Sequence, residues 1–230
     1  MTAIVLAGGF GTRLQTVVSD VPKPMAPVMD KPFLEYIFKY LKKNDISKVI
    51  LSVGYKHEII ESYFGNKYLD INITYVVESE PLGTGGAIKK ALGAVDEEDV
   101  FIINGDTFFD VDLSVLKKQF KSTKSQLLLS LKEMQDFDRY GCVEVDDEHK
   151  IIAFKEKEAR KIGSINGGIY LIKSDIFDNY ELPEIFSFEE FMQDSFTALN
   201  AMGLVFTNYF IDIGIPEDYA KAQIELKEHI

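Results

Sequence analysis

Apolar residues in the first half of the chain form short continuous runs that alternate with helical patterns. The runs are rich in β-branched residues, which favours buried strands, and they lie at 3–7, 49–53, 73–77 and 100–103. Two helices are predicted between them. They lie at 34–41 and 87–92, and the prediction of the first is based on apolar residues spaced three and four positions apart. This alternation predicts a Rossmann-like α/β core, in which helices cover both faces of a mostly parallel sheet.

The pattern changes after an apolar run at 127–131. Two short runs at 142–145 and 151–154 flank a polar connector of hairpin length, which indicates a small antiparallel section in a mixed sheet. The remaining predicted elements are a strand at 168–172, a helix capped by Ser187 and Glu190, and a helix that begins at Pro216. Since no linker, repeat or low-complexity stretch divides the chain, we expect one domain over 1–230.

Composition narrows the functional classes. The 230 residues are 46% hydrophobic and 27% charged, which suits an ordinary soluble globular protein. The net charge of −12 repels nucleic acids and anionic membranes, so neither is an expected partner. The single cysteine, Cys142, forms no internal disulfide, and no apolar run approaches the roughly 18 residues that span a bilayer. We therefore expect a cytoplasmic protein.

A glycine-rich loop follows the first predicted strand, where an open α/β sheet places its ligand crevice. Gly8, Gly9 and Gly11 would let backbone N–H groups approach phosphate oxygens, and Arg13 would supply a permanent cation. The loop is neither a Walker loop nor a dinucleotide fingerprint, which needs a third glycine where this chain has Leu14. Taken alone, it is equally consistent with a tight structural turn.

Two further segments point to the same crevice. Two prolines flank Lys23 and restrict its backbone, which suits a lysine aimed at phosphate as well as one in a rigid surface loop. A second glycine-rich turn, with Gly83 and Thr84, follows the strand that ends near Glu78. The Glu78 carboxylate could accept hydrogen bonds from N1–H and the exocyclic amine of guanine, although a surface glutamate is the more common arrangement.

Acidic residues provide a candidate metal site. Asp106 follows the most apolar central strand, and Asp212 lies in a second apolar segment near the end of the chain. Mg²⁺ prefers oxygen ligands and is commonly held by one or two carboxylates together with substrate phosphates. Capping of a turn or a helix remains the alternative for each aspartate.

The order of these motifs resembles that of the sugar-nucleotide pyrophosphorylases, a family of nucleotidyltransferases. The resemblance rests on residues 6–14, 22–25, 82–87 and 104–106 and on Asp212, with three shorter matches at 140–141, 156–157 and 166–168. It implies transfer of a nucleotidyl group from a nucleoside triphosphate to a sugar 1-phosphate with Mg²⁺ as cofactor. It also implies no β-helix domain, since the match extends to about residue 220.

The resemblance assigns a role to each matching position. The implied nucleotide-binding residues are Leu6, Ala7, Gly8, Gly9, Gly11, Thr12, Arg13, Glu78, Gly83 and Thr84. The implied sugar-phosphate-binding residues are Gly105, Tyr140, Gly141, Glu156, Lys157 and Asn166. The implied catalytic residues are Arg13, Lys23 and Asp106, and the implied metal ligands are Asp106 and Asp212.

Glu78 separates two branches of the family, because uridylyl-transferring members tend to have glutamine at this position. The resemblance therefore implies GTP as the nucleotide. Residues 22–41 and 104–113 most resemble the branch that uses D-glycero-α-D-manno-heptose 1-phosphate, followed by the branch that uses mannose 1-phosphate. Uridylyl or cytidylyl transfer and a non-catalytic nucleotide-sugar sensor remain as alternatives. A homo-oligomer also remains open, because the aromatic residues at 186–196 suit either a core or an interface.

Overall fold

The computed structural model describes residues 1–9, 18 and 20–229, and its helices and strands alternate along the chain. The helices are α1 (Phe33–Lys43), α2 (His57–Phe64), α3 (Gly83–Leu92), α4 (Leu113–Ser122), α5 (Phe188–Ser195) and α6 (Pro216–Glu225). The strands are β1 (Thr2–Leu6), β2 (Pro27–Val28), β3 (Lys31–Pro32), β4 (Lys48–Val53), β5 (Lys67–Tyr68), β6 (Ile71–Val77), β7 (Asp99–Asn104), β8 (Thr107–Phe109), β9 (Leu127–Phe137), β10 (Cys142–Val145), β11 (Ile151–Lys155), β12 (Arg160–Lys173), β13 (Met202–Phe206) and β14 (Phe210–Asp212). Short 3₁₀ turns lie at Lys23–Met25 and Leu226–His229.

Within the described residues, ten strands form one sheet. Its main path runs β11-β10-β12-β7-β1-β4-β6-β5, and β9 joins it at β12 with β13 alongside. Strands β7, β1, β4 and β6 are parallel to one another, whereas β12 is antiparallel to β7 and pairs on its other side with β10 of the β10–β11 hairpin. The predicted mixed sheet, with a parallel core and a small antiparallel section, is confirmed.

The register of the parallel strands brings their carboxyl ends to one edge. Leu6 of β1 pairs with Asn104 of β7 on one side and with Ser52 of β4 on the other. Ser52 pairs in turn with Val76 of β6. The segments that follow these strands therefore leave the sheet side by side.

Helices cover both faces of the sheet, as the apolar strand pattern predicts. Successive side chains of a strand point to opposite faces, so Ile4 and Val5 belong to different cores. Val5 packs in a buried cluster with Phe38 of α1, and Ile4 packs in a second buried cluster with Ile88 of α3. Phe191 of α5 also lies in this second cluster, which places the aromatic stripe of α5 in the core.

The glycine-rich segment at 82–87 is not a turn between strand and helix, as the sequence suggests, because α3 begins at Gly83. Glycine is a poor helix former, but here the glycines permit close tertiary packing. A Cβ at Gly85 would lie 2.2 Å from the Phe186 ring, and one at Gly86 would lie 2.4 Å from the Glu184 carbonyl oxygen. The chain at 184–186 thus occupies the space that side chains on this helix would fill.

Strands β9 and β12 extend beyond their predicted limits at 127–131 and 168–172. The predicted parts are the buried parts, and the extensions are half-exposed, with mixed polar and apolar residues. An apolar run marks only the portion of a strand that lies in the core, which explains why the extensions were missed. The pairing of β9 with β12 also shifts register between Asn166 and Tyr170.

Two predicted helix starts are confirmed. The Ser187 hydroxyl accepts a hydrogen bond from the Glu190 N–H at 3.2 Å, and Pro216 occupies the first turn of α6. In the part of the chain that the structure describes, none of the helices has the length and apolar character required to cross a bilayer.

A buried carboxylate connects α1 to the segment that follows β4. Glu35 is only 2% exposed, accepts a hydrogen bond from the Lys31 ammonium at 2.5 Å and another from the Tyr63 hydroxyl at 2.8 Å. Burial alone would raise the pKa of Glu35, but hydrogen bonds from Lys31, Tyr63 and Tyr68 outweigh this effect and lower the pKa. Ionised Glu35 is thus favoured in the folded state.

We expect Glu35→Gln to lower the free energy of unfolding by about 1–3 kcal/mol at pH 7, because it removes a buried charged acceptor. The folded-state pKa lies below the unfolded value of about 4.3, so the stabilisation is present above that value and is lost as the pH falls through the folded pKa. The deficit of the variant should therefore shrink between about pH 5 and pH 3. Urea denaturation of both proteins across this pH range measures the difference in their free energies of unfolding. The exposed Glu181→Gln variant is the control, and a pH-independent deficit for Glu35→Gln would contradict the assignment.

Gly83 provides a second test. It adopts a φ of +72°, and a Cβ there would lie 2.5 Å from the Phe186 carbonyl oxygen. We expect Gly83→Ala to destabilise the protein by about 2–4 kcal/mol, combining left-handed strain with overpacking. Gly9→Ala is the matched control, since a Cβ at Gly9 meets nothing within 4 Å, and its stability should stay within about 1 kcal/mol of the original. Equal melting curves for the two variants would refute this account of α3.

Candidate functional site

A crevice of about 440 Å³ lies at the carboxyl edge of the parallel strands. Much of the predicted nucleotide and catalytic set lines it, namely Leu6, Gly8, Gly9, Lys23, Glu78, Gly83, Thr84 and Asp106. Ala7 is buried beside it and donates its N–H to the Ser52 carbonyl oxygen at 2.7 Å. Gly11, Thr12 and Arg13, which the sequence also predicts as nucleotide-binding, lie outside the described residues. The structure therefore brings together predicted residues from four separate segments of the chain.

The Glu78 carboxylate is held in place from two sides. Its Oε1 accepts a hydrogen bond from the Ser52 hydroxyl at 3.0 Å, and its Oε2 accepts one from the Leu82 N–H at 3.2 Å. Gly8 lies directly against it, because a Cβ at Gly8 would be 2.7 Å from Oε1. The first glycine of the loop is thus required for the close approach of Glu78. Glu78 borders the crevice with its two oxygens anchored.

Lys23 lies between the two predicted metal ligands. Its ammonium donates a hydrogen bond to Asp106 Oδ2, and its Nζ lies 3.9 Å from Asp212 Oδ1. The pairing of β8 with β14 explains why the two aspartates meet, because Thr107 lies directly opposite Asp212. The Lys23 side chain is only 11% exposed, whereas the side chains of Asp106 and Asp212 are 34% and 28% exposed, so the cation is the buried member of this charge cluster.

Local backbone structure aims the lysine. Lys23 begins a 3₁₀ turn, and the Met25 N–H donates to the Pro22 carbonyl oxygen at 2.7 Å. Pro24 and Met25 are buried, which anchors the turn to the core. The two prolines thus flank a short, anchored turn that places Lys23 at the crevice.

The donor chemistry of this cluster suits a hard divalent cation. The carboxylates of Asp106 and Asp212 converge on one positive group, Lys23, and their oxygens are the ligand type that Mg²⁺ prefers. Other hydrogen bonds orient them, from the Thr107 hydroxyl to Asp106 Oδ1 at 3.2 Å and from the Gly214 N–H to Asp212 Oδ1 at 2.7 Å. Among the described residues, no group of three or more His, Cys, Asp or Glu side chains is placed to hold a metal ion, so a cation held by these two carboxylates would need further oxygens from a substrate.

The predicted sugar-phosphate residues lie outside the lining of this crevice, but most of them gather at one end of the antiparallel section. Cys142 pairs with Lys155 of β11 and with Ile165 of β12. Because both pairings are antiparallel, the next positions on the same side are the residue before Cys142 and the residues after Lys155 and Ile165. These are three of the predicted residues, Gly141, Glu156 and Asn166. Tyr140 and Lys157 are adjacent to them in sequence, and Lys157 is exposed.

Two members of this group also have structural roles. Asn166 donates to the Tyr170 hydroxyl at 2.7 Å and accepts from the Gly168 N–H at 3.0 Å, so its amide stabilises the irregular part of β12. Burial raises the pKa of Tyr170, which keeps this hydroxyl protonated. Gly105 donates its N–H to the Leu6 carbonyl oxygen at 2.9 Å, and a Cβ there would lie 2.6 Å from that oxygen.

One acidic residue of the crevice is absent from the sequence-based set. Glu189, at the start of α5, accepts hydrogen bonds from the Thr84 hydroxyl at 2.7 Å and the Ser187 hydroxyl at 3.0 Å. The available sequence signal, the capping pattern from Ser187 to Glu190, locates the helix start but does not indicate that α5 approaches α3. Pro24, Pro81, Ala87 and Asn104 complete the described lining of the crevice.

Comparison with known proteins agrees with this arrangement. A model of the Nucleotidyl transferase family matches residues 2–229. D-glycero-alpha-D-manno-heptose 1-phosphate guanylyltransferase from Campylobacter jejuni is 56% identical over 219 residues, which cover 95% of this chain and 97% of that protein. The protein of the same name from Aneurinibacillus thermoaerophilus is 54% identical over 231 residues, with 100% of both chains covered.

A solved structure shares the fold along nearly the whole chain. The crystal structure of HddC from Yersinia pseudotuberculosis complexed with GMP-PN superposes with a TM-score of 0.83 at 36% identity, covering 96% of this chain and 97% of that one. Because the family match spans residues 2–229 and both relatives align along nearly their full lengths, this protein belongs to the nucleotidyl transferase family.

Proposed function

We propose that this protein transfers a guanylyl group from GTP to D-glycero-α-D-manno-heptose 1-phosphate, forming a GDP-sugar and pyrophosphate. The observation that carries the proposal is the anchored Glu78 carboxylate, which borders the same crevice as Lys23 and Asp106. The names of the relatives at 56% and 54% identity support both guanine and heptose. The GMP-PN complex of HddC supports a guanine nucleotide in this fold.

In the proposed reaction, an oxygen of the sugar phosphate attacks the α-phosphorus of GTP. One P–O bond forms, and the bond between the α-phosphorus and the bridging oxygen of the β-phosphate breaks, so that pyrophosphate leaves with the electron pair. No proton transfer is needed, since the attacking phosphate is already anionic near neutral pH. Positioning and charge stabilisation therefore account for catalysis.

The crevice and the end of the antiparallel section have distinct roles in this proposal. Glu78 accepts the N1–H and the exocyclic amine of guanine. Lys23 moves from its aspartate partners to the transferring phosphoryl group, and Arg13 binds the triphosphate. Lys157 holds the sugar phosphate, with Tyr140, Gly141, Glu156 and Asn166 as its neighbours at the sugar.

We further propose Mg²⁺ as the cofactor, held by Asp106 and Asp212. Bound there, it would neutralise charge on the α-phosphate and the incoming phosphate and so reduce their mutual repulsion. The need for added positive charge is evident in the described lining of the crevice, where Lys23 is accompanied by Glu78, Asp106 and Glu189. We also propose a cytoplasmic location, where GTP is available and the Cys142 thiol, whose pKa is raised by burial, stays reduced.

A substrate panel tests the reaction. With Mg²⁺ present, pyrophosphate release should be fastest for GTP with the manno-heptose 1-phosphate and slower with mannose 1-phosphate. We expect kcat/KM to be at least about 100-fold higher for GTP than for UTP or CTP, because a pyrimidine cannot pair with both oxygens of Glu78. Comparable turnover of UTP or CTP would instead support uridylyl or cytidylyl transfer. Tight GDP-sugar binding without any turnover would support a sensor.

Asp106→Asn tests the charge cluster. The substitution keeps the shape of the side chain but removes one of the two converging carboxylate charges, so we expect kcat to fall by about 10²- to 10³-fold. The matched control is Asp110→Asn, which removes an aspartate that pairs with Lys43 at 3.2 Å and does not line the crevice. Its kcat should stay within about twofold of the original, because such exposed ion pairs contribute little. Thermal melting confirms that both variants fold, and full activity of a folded Asp106→Asn protein would exclude the proposed role.

A further inference from the structure

Ser52 is a buried hydroxyl in the interior of the sheet. It lies in β4, between β1 and β6. Ser52 has no exposed surface, and neither do its apolar neighbours Leu51 and Val53. Burying a hydroxyl is unfavourable unless it finds a hydrogen-bond partner, and an apolar side chain would fill this position without that penalty. The presence of serine here therefore requires an explanation.

Among the described residues, the hydroxyl has one side-chain partner, and that partner belongs to the crevice. Ser52 Oγ donates to Glu78 Oε1 at 3.0 Å. The Leu82 N–H donates a hydrogen bond to Glu78 Oε2 at 3.2 Å. An ionised carboxylate offers about four acceptor positions, so about two remain for a ligand in the crevice that Glu78 lines.

Gly8 confines the same oxygen from the other direction. A Cβ at Gly8 would be only 2.7 Å from Glu78 Oε1, so the carboxylate lies against the backbone of the loop while Ser52 binds it from the strand. Of the hydrogen bonds that the described residues make to this carboxylate, removal of the Ser52 hydroxyl would leave the one at Oε2. A carboxylate held at one oxygen can rotate about its last bond, whereas one held at both oxygens has a fixed plane.

We propose that Ser52 is a positioning residue that sets the plane of the Glu78 carboxylate for the paired donors of guanine. This inference rests on the proposed function, because it presupposes that GTP occupies the crevice. Guanine presents N1–H and the exocyclic amine side by side, and both bonds form only when the two oxygens face them together. Hypoxanthine has the N1–H but lacks the amine, so ITP reports on the second bond.

The experiment measures kcat/KM for GTP and ITP in the original protein and in Ser52→Ala. We expect the GTP-to-ITP ratio to fall roughly three- to tenfold, the range for loss of one hydrogen bond that supports another. The change should lie in KM, with kcat at saturating GTP preserved, because Lys23 and Asp106 are untouched. Calorimetric dissociation constants for GTP and ITP provide the same ratio without turnover.

Ser125→Ala is the matched control for removing a buried hydroxyl. Ser125 is 2% exposed, and its Oγ donates to the Leu127 carbonyl oxygen at 2.7 Å, away from the crevice. This variant should lose some stability but keep the original GTP-to-ITP ratio. Ser52→Cys, which retains the volume and a weak S–H donor, should show an intermediate ratio and serves if the alanine variant folds poorly.

A double-mutant cycle separates positioning from general loosening of the sheet. Glu78→Gln should itself reduce the ratio, and adding Ser52→Ala in that background should change it no further. If the original protein uses GTP but Ser52→Ala leaves its ratio unchanged, the inference fails and the proposed function stands. If Ser52→Ala lowers the ratio equally with and without Glu78, the inference also fails. If the original protein makes no GDP-sugar from GTP, both the proposed function and the inference fail.

Discussion

The site depends on a single rung of the parallel sheet, in which Asn104, Leu6, Ser52 and Val76 lie side by side across four strands. Two residues beyond this rung, three of the strands lead to Asp106, Gly8 and Glu78, the groups that border the crevice. Neighbouring strands are about 4.8 Å apart, so four strands spread these groups over roughly 14 Å. A register slip of one residue would reverse the faces of a strand and move its group away from the others. The hydrogen bonds of the sheet interior therefore determine the geometry of the site.

The cation of the crevice is held within a small cluster of charges. The protein as a whole has a net charge of −12, and Lys23 lies between two carboxylates with little exposed surface. The two aspartates offset the unfavourable burial of the lysine charge, because a buried charge is tolerated when it is paired. In the proposed function, a polyanionic ligand would compete with the aspartates for this cation. A strongly acidic protein can thus bind phosphates, provided that a few cations are gathered at one place.

The sequence predicts the core of this fold well, because the parallel strands are buried on both faces and appear as unbroken apolar runs. It predicts less where structure depends on contacts between distant segments. The glycines of α3 indicate a turn by local preference, yet they form a helix because the chain at 184–186 packs against them. The extensions of β9 and β12 reach beyond the core and are half-exposed. They therefore lack the apolar run that marks a buried strand.

The candidate site shows the same division. Glycine-rich segments, a lysine between prolines and acids after strands carry a local signal, so Gly8, Lys23, Glu78 and Asp106 were predicted and are found together. Ser52 and Glu189 carry none, since a serine inside an apolar strand and a glutamate in a helix cap have ordinary local explanations. Their contacts with Glu78 and Thr84 arise only from the sheet register and from the packing of α5 against α3.

Strand β12 belongs to both halves of the molecule. Its carboxyl-terminal part pairs with β7 in the core, and its amino-terminal part pairs with β9 in the antiparallel section, with the register shift at Asn166 between them. β12 is one strand across this register shift, so it links the crevice and the proposed sugar end within a single sheet. Such a scaffold can tolerate exchange of the surface residues at the sugar end while the distance between the two substrates stays constant. Related proteins could in this way diversify their sugar acceptors without rebuilding the site that holds the nucleotide.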